Sequence, residues 1–219
     1  MKYYQIIFTI LICSYTSASY ANYSKTEVDC INYFLQKDYE KAFPVCVKSY
    51  NKTPKYISAV NTGIMHLLGR GTNRNIERAL SLFKEASQLD GSDGTAEHNL
   101  GYAFSEGIGV SENLQHGFEW TKRAAHLGHE GSQFNLAISY FDGEGVPRNN
   151  AQGYAWLKIA RDSKSKDAAS ILLNIKSQLT SATVRKGESI YQELRIKLPI
   201  SRIARREKLM RQVQSITNL

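Results

Sequence analysis

Three Ser-x-x-Lys tetrads stand in this 219-residue chain: Ser49 with Lys52, Ser81 with Lys84, and Ser163 with Lys166. A lysine one helical turn from a serine is the spacing at which an amine can activate a hydroxyl nucleophile. No Lys-Thr-Gly accompanies them, and three scattered copies are what chance supplies, so a weak hydrolase or binder of β-lactams or peptidoglycan fragments is carried only as the alternative reading. His126 and His129 stand three apart beside Glu130, but nothing here matches His-Glu-x-x-His. A metal needs converging ligands with supporting partners, whereas imidazoles near a helix C-terminus need no metal to explain them. No metal and no cofactor are expected. Gly69-Arg70-Gly71, Gly107-Ile108-Gly109 and Gly143-Glu144-Gly145 lack a preceding strand and the Gly-Lys-Ser/Thr ending of a phosphate loop, and they read as turns. Cys30 and Cys46 are sixteen residues apart, a separation that suits one bridge across a helical hairpin. Two buried thiols are the alternative.

The elements that hold these residues are written as a repeat. The three Gly-x-Gly turns are separated by steps of 38 and 36 residues, and Asn75, Asn113 and Asn149 follow the same steps. So do Ala79, Gly117 and Gly153, then Leu82, Trp120 and Trp156, then Ala86, Ala124 and Ala160; Asn61, Asn99 and Asn135 repeat upstream. The segments on either side of each turn have helical apolar spacing. Paired glycines permit left-handed backbone angles at the end of a first helix, and the following Asn can cap a second. Small residues at Gly63, Gly101 and Ala137 and at Ala79, Gly117 and Gly153 let the two helices approach closely, and the tryptophans are expected to fill the space between hairpins.

The stretches "LGYAFSEGIGVSENLQHGFEWTKRAAHLG" and "LAISYFDGEGVPRNNAQGYAWLKIA" resemble the Sel1-like repeat, a relative of the tetratricopeptide repeat, and a first copy departs from the pattern at His66, Thr72 and Leu82. The resemblance covers about residues 57 to 163. It implies an all-α fold, a right-handed α-solenoid of antiparallel helix hairpins, whose concave groove binds other proteins as a scaffold or adaptor. It carries over no catalytic residue, because the motif positions are structural. Around the repeats, residues 22–54 read as an N-terminal capping hairpin, 55–165 as three repeats, 166–198 as C-terminal capping helices and 199–219 as a basic tail helix. Groove positions not needed for the motif include Asn99, Tyr102, Gln133, Ile138 and Ser139, with Arg70, Glu106 and Asp142 near the rim, and the repeated Asn61 and Asn135 join Asn99 as groove candidates. The repeated Asn residues suit either a partner's backbone or a neighbouring helix end.

Lys2, the short apolar run from Ile6 to Cys13 and Ser19-Tyr20-Ala21 read as a secretory signal cleaved near Ala21; an uncleaved anchor is the alternative. Export to the periplasm then makes an envelope or periplasmic protein the expected partner. The net charge of +8 is concentrated in residues 185–219, which carry +6, so the body is nearly neutral. The tail from Pro199 has Ile200, Ile203, Met210 and Val213 near one helical face amid five basic residues. It suits an anionic membrane surface or a partner, with a solvated terminus as the alternative. Nucleic acid fits the charge but not the export.

Overall fold

The structure, a computed structural model, describes residues 24–163 and 165–198. Residues 1–21, read as a signal, and residues 199–219, read as a basic tail helix, lie outside them. The described residues form ten α-helices and no strand: α1 (Lys25–Leu35), α2 (Tyr39–Lys52), α3 (Tyr56–Leu68), α4 (Ile76–Ala86), α5 (Thr95–Glu106), α6 (Leu114–His126), α7 (Glu130–Asp142), α8 (Asn150–Asp162), α9 (Lys166–Ile175) and α10 (Ser181–Lys197). None is long and apolar enough to cross a membrane. The chain divides into two compact units within α4, one ending at Leu82 and the other beginning at Phe83.

In the first unit α1 and α2 pair, and α3 packs on both. Cys30 and Cys46 are joined in a disulfide, fully buried beside Ala42 and Met65, with Tyr33, Phe34, Tyr39, Phe43 and Val45 around them. Closing a loop of this length contributes about 3 kcal/mol in the chain-entropy account. That suits a hairpin too small to bury much apolar surface alone. Ser24 and Glu27 form a reciprocal cap at the start of α1, and the buried Glu27 carboxylate also takes the Lys55 ammonium at 2.9 Å. The first residue before α3 is thereby tied to α1.

In the second unit α5 pairs with α6 and α7 with α8, while α9 and α10 both close over α8. The core gathers Phe118, Leu136, Phe141, Tyr154, Trp156, Leu157 and Tyr191. Gly101 and Gly117 face each other across the first pair: a methyl on Gly101 would come within 2.6 Å of Thr121 Oγ1, and one on Gly117 would strike Ser105 Oγ. α10 is fixed polar side first, by Tyr154 Oη donating to Glu188 at 3.0 Å, the Lys158–Glu188 ion pair and Tyr191 Oη donating to Asp162. The two tryptophans part company. Trp156 is 2% exposed with the His126 ring 4.9 Å away, whereas Trp120 is only half-buried beneath the Arg123 guanidinium.

Each repeated Asn does more than cap. Its side chain accepts a backbone N–H one turn on, at 2.8 Å for Asn75, 2.9 Å for Asn113 and 3.2 Å for Asn149. Its own N–H donates back to the carbonyl nine residues earlier, in His66, Phe104 and Tyr140 respectively. One residue therefore fastens both helices of a hairpin.

The second glycine of the turn has a separate duty. Gly145 has φ +68°, and a Cβ there would collide with the Leu114 carbonyl, the first residue of α6 in the preceding hairpin. Gly71, with φ +67°, meets the Tyr39 carbonyl, the first residue of α2, in the same way. We expect Gly145→Ala to cost about 3 kcal/mol or more in urea unfolding, combining strain with overpacking. Gly91→Ala shares the positive φ but meets nothing within 4 Å, so it should cost only about 1 kcal/mol.

Candidate functional site

The residues expected in a groove separate into three groups. Tyr102 (53% exposed), Glu106, Asn135 and Asp142 lie at the surface of α5 and α7, with Asn99, Ile138 and Ser139 half-buried between them. Arg70 is exposed in the first unit, its guanidinium lying 5.1 Å from the Tyr39 ring and donating to Tyr39 Oη at 2.9 Å. Gln133 and Asn61 are corrections. Gln133 is buried, donating to the Ala125 carbonyl at 3.3 Å and accepting from Ser163 Oγ at 2.7 Å, because its place in the first turn of α7 faces the end of α6. Asn61 is buried against the disulfide, its amide 3.9 Å from Cys30 Sγ. Asn99 spends its amide on the Thr95 carbonyl one turn back, at 2.8 Å. The three Asn residues share a register but not a role.

The surface group does share a pattern. A shift of 36 residues carries Asn99, Tyr102 and Glu106 of α5 onto Asn135, Ile138 and Asp142 of α7, each set spaced along one helical face. α5 and α7 are linked at their N-terminal ends through His98, whose Nδ1 lies 2.9 Å from Ser132 Oγ and whose ring stacks on His129 at 4.3 Å. His129 is the N-cap of α7: its Nδ1 accepts the Ser132 N–H at 3.2 Å, so that nitrogen carries no proton. The sequence showed His129 near a helix end, but His98, thirty-one residues earlier, was invisible until the repeats stacked.

The hydroxyls of the Ser-x-x-Lys tetrads are engaged or remote from one another. Ser49 shares a 2.8 Å hydrogen bond with Ser58 in the interior, Ser163 donates to Gln133, and Ser81 is exposed on α4. His126 turns its Nδ1 to the Lys122 carbonyl at 2.8 Å, and His66 packs edge-on against Phe43. Among the described residues no three His, Cys, Asp or Glu side chains converge as a metal site would require.

Such a molecule is built of stacked helical hairpins, whose motif residues hold the stack and whose remaining surface differs from rung to rung. It is an all-α solenoid of the scaffold class. The Sel1 repeat pattern matches residues 57–91, 94–129 and 131–165, and the chain belongs to the Sel1-like repeat family. Proteins of this family generally act as protein–protein interaction scaffolds and are typically non-enzymatic. Among solved structures, a Sel1 repeat protein from Oxalobacter formigenes superposes with a TM-score of 0.62 at 22% identity, over 68% of this chain and 62% of that one. The protective antigen c5321 of uropathogenic Escherichia coli, with an SLR fold, gives 0.49 at 21% identity over 80% and 43%. Helicobacter pylori cysteine rich protein B gives 0.46 at 19% over 67% and 96%. The chain thus spans less than two thirds of the length of the first two. No curated protein sequence matches it.

Two titratable groups near the surface set are perturbed by burial. His98 lies below the usual imidazole value of 6.5 because burial disfavours its cation. The unfolded state therefore takes up the proton first, and stability present above about pH 6.5 is lost as pH falls through the folded value. Urea midpoints should drop between pH 7 and 5, and His98→Phe, the residue type repeat three carries as Phe134, should make that drop shallower. Glu97 shows the opposite sense: burial raises its carboxyl, with Ser92 Oγ at 3.0 and 3.1 Å and Arg123 opposing. Its neutral form is favoured in the fold, so Glu97→Gln, matching Gln133 one repeat on, should raise the midpoint at pH 7. That gain should shrink as the pH is lowered toward the carboxyl's folded value.

Proposed function

We propose that the chain is a non-enzymatic scaffold of the bacterial cell envelope that holds a partner protein against the exposed face of α5 and α7. The observation that carries this reading is the repeated trio of amide, apolar or aromatic side chain, and carboxylate on two neighbouring rungs. Tyr102 supplies a rigid amphipathic anchor, and Asn135 offers a donor and an acceptor to a partner's backbone. A solenoid needs its motif positions for stacking, so binding specificity is left to positions such as these. Residues 1–21, read as an export signal, support a periplasmic location. The partner is then an envelope or periplasmic protein, and the finer role is that of an accessory or positioning factor of an envelope-spanning machine, such as a secretion apparatus, or of a periplasmic regulator. The hydrolase alternative has no comparable support, since the buried Ser49 and Ser163 bond to neighbours within the fold.

Cross-linking in the bacterial envelope followed by capture tests this reading. The native chain should recover one protein, and Tyr102→Ala combined with Asn135→Ala should recover at least tenfold less without changing the melting temperature. Equal recovery by both would remove the α5/α7 face from the binding site. Capture of nothing, together with a cell-wall fragment that raises the melting temperature, would overturn the scaffold reading.

A further inference from the structure

The α5/α7 face begins on a pair of imidazoles. His98, Tyr102 and Glu106 stand four residues apart along one face of α5, and Ser132, Asn135, Ser139 and Asp142 follow one face of α7 at helical spacing. At the N-terminal end of both stripes, one turn before Tyr102 and Asn135, the His98 and His129 rings stack at 4.3 Å with their planes 22° apart. Both Nδ1 atoms reach the same fully buried hydroxyl, Ser132 Oγ, at 2.9 Å from His98 and 3.2 Å from His129. All of these residues belong to the second unit.

The solenoid does not require either histidine. A shift of 36 residues turns His98 into Phe134, His129 into Ser165 and Ser132 into Ala168. Ser165 accepts the Ala168 N–H at 3.2 Å and so caps α9, the task that His129 performs for α7. The next rung therefore does the same structural work with no titratable group.

Protonation acts on this joint from both sides. Because His129 Nδ1 accepts the Ser132 N–H, its ring proton sits on Nε2, and a second proton must take Nδ1 and with it the cap of α7. On His98 the added charge enters a buried site beside the N-terminus of α7, whose dipole opposes a cation. Charging both rings sets two cations against each other across the stack. The titratable and charged groups of the elements around the pair are Asp93 in the loop before α5, Glu97 on α5, Arg123 and His126 on α6, and Glu130 on α7. Asp93 accepts the Thr95 N–H at 3.0 Å, Glu97 takes Ser92, Arg123 lies over Trp120 and His126 turns to the Lys122 carbonyl. Burial is what disfavours the His98 cation.

Resting on the assignment of the α5/α7 face as the partner site, we propose that His98, His129 and Ser132 form a proton-operated latch at the base of that face, closed while both rings are neutral and opened in acid, so that the partner is released. Opening frees the N-terminal ends of α5 and α7 from each other and changes the spacing of Tyr102 and Asn135, which a partner must span. The latch is closed above about pH 6.5 and opens as the pH falls through the folded values. Each proton linked to release weakens binding by up to about tenfold per pH unit.

The first readout needs no partner: the distance between spin labels on Glu106→Cys and Asp142→Cys, both exposed, in a full-length chain with Cys13→Ser, where Cys30 and Cys46 are held in their disulfide. Between pH 7 and pH 5 this distance should change while the helix content stays constant, and envelope capture of the partner should fall at least tenfold. The triple substitution His98→Phe, His129→Ser and Ser132→Ala copies the next rung, and it should hold the label distance constant and capture as much at pH 5 as at pH 7. His98→Phe alone keeps the α7 cap and should show a smaller change than the native chain, a comparison that stands even if the triple variant does not fold. An unchanged distance in the native chain, a change of equal size in the variants, or capture that falls as far in the variants as in the native chain would each overturn the proposal. Failure of the partner reading shows differently: no capture at pH 7 removes the face as a partner site, and the release with it, while the label distances still decide whether the latch opens.

Discussion

The arrangement depends on a missing atom. At Gly71 and Gly145 the turn of one hairpin lies so close to the first carbonyl of the preceding hairpin's second helix that no Cβ fits between them. The positive φ at these residues could be met at some strain by another residue, but the backbone contact could not. This explains why the second glycine of each pair recurs while the residue between the pair is free to be Arg, Ile or Glu. It also shows what α1 and α2 are. Tyr39 receives Gly71 as Leu114 receives Gly145, so the N-terminal hairpin presents the same docking surface as a repeat although its sequence has lost nearly all of the motif. What holds it is the Cys30–Cys46 disulfide with the small apolar cluster around it, and the buried Glu27 carboxylate tied to the partly exposed Lys55.

Once backbones approach this closely, the polar groups trapped between rungs must find partners inside the stack. The position two residues before the repeated Asn illustrates the range of solutions. It is Ala59 in the first repeat, where no partner is needed, Glu97 in the second and Gln133 in the third. Glu97 takes Ser92 from the loop before its helix; Gln133 joins the end of α6 to Ser163 at the end of α8. The amide is satisfied on both sides without charge, while the carboxylate is desolvated and shifted upward. The same site in three rungs thus runs from apolar to neutral polar to ionisable, and the least comfortable choice sits beside His98, the residue that links α5 to α7.

The hairpins were legible because their signals are local. Apolar periodicity, Gly-x-Gly and the capping Asn each act within a dozen residues, and Asn75, Asn113 and Asn149 cap as their type and position demand. The second duty of those residues, the bond back to His66, Phe104 and Tyr140, carries no side-chain signature because it is made by the backbone. The candidate site was legible only in part. The repeat register set Tyr102 in a groove with Glu106 and Asp142 near its rim, and all three are exposed, but it treated Gln133 and Asn135 alike, although they are two positions apart and 200° around the helix. Counting along one helix cannot say which flank the next rung covers. Comparing rungs in register does better: Glu97 and Gln133 are aligned, and a carboxylate aligned with an amide and with Ala59 marks an interior position.

That distinction bears on how a family with one motif can bind different proteins. Residues that make the stack are constrained by contacts that leave no room for a Cβ, as at Gly101, Gly117 and Gly145, and have little freedom to change. Residues between them are constrained only by solvent. Selection for binding can therefore act on Tyr102, Asn135 and the terminal carboxylates of α5 and α7 without disturbing the fold, and it can act on their charge separately from their shape. A carboxylate at the C-terminal end of a helix is the choice that helix stability opposes, by roughly 0.3 to 1 kcal/mol for each. Two such choices in register, on helices that lack any Lys or Arg, lie outside what stacking requires, which sets these positions apart from the residues that hold the fold.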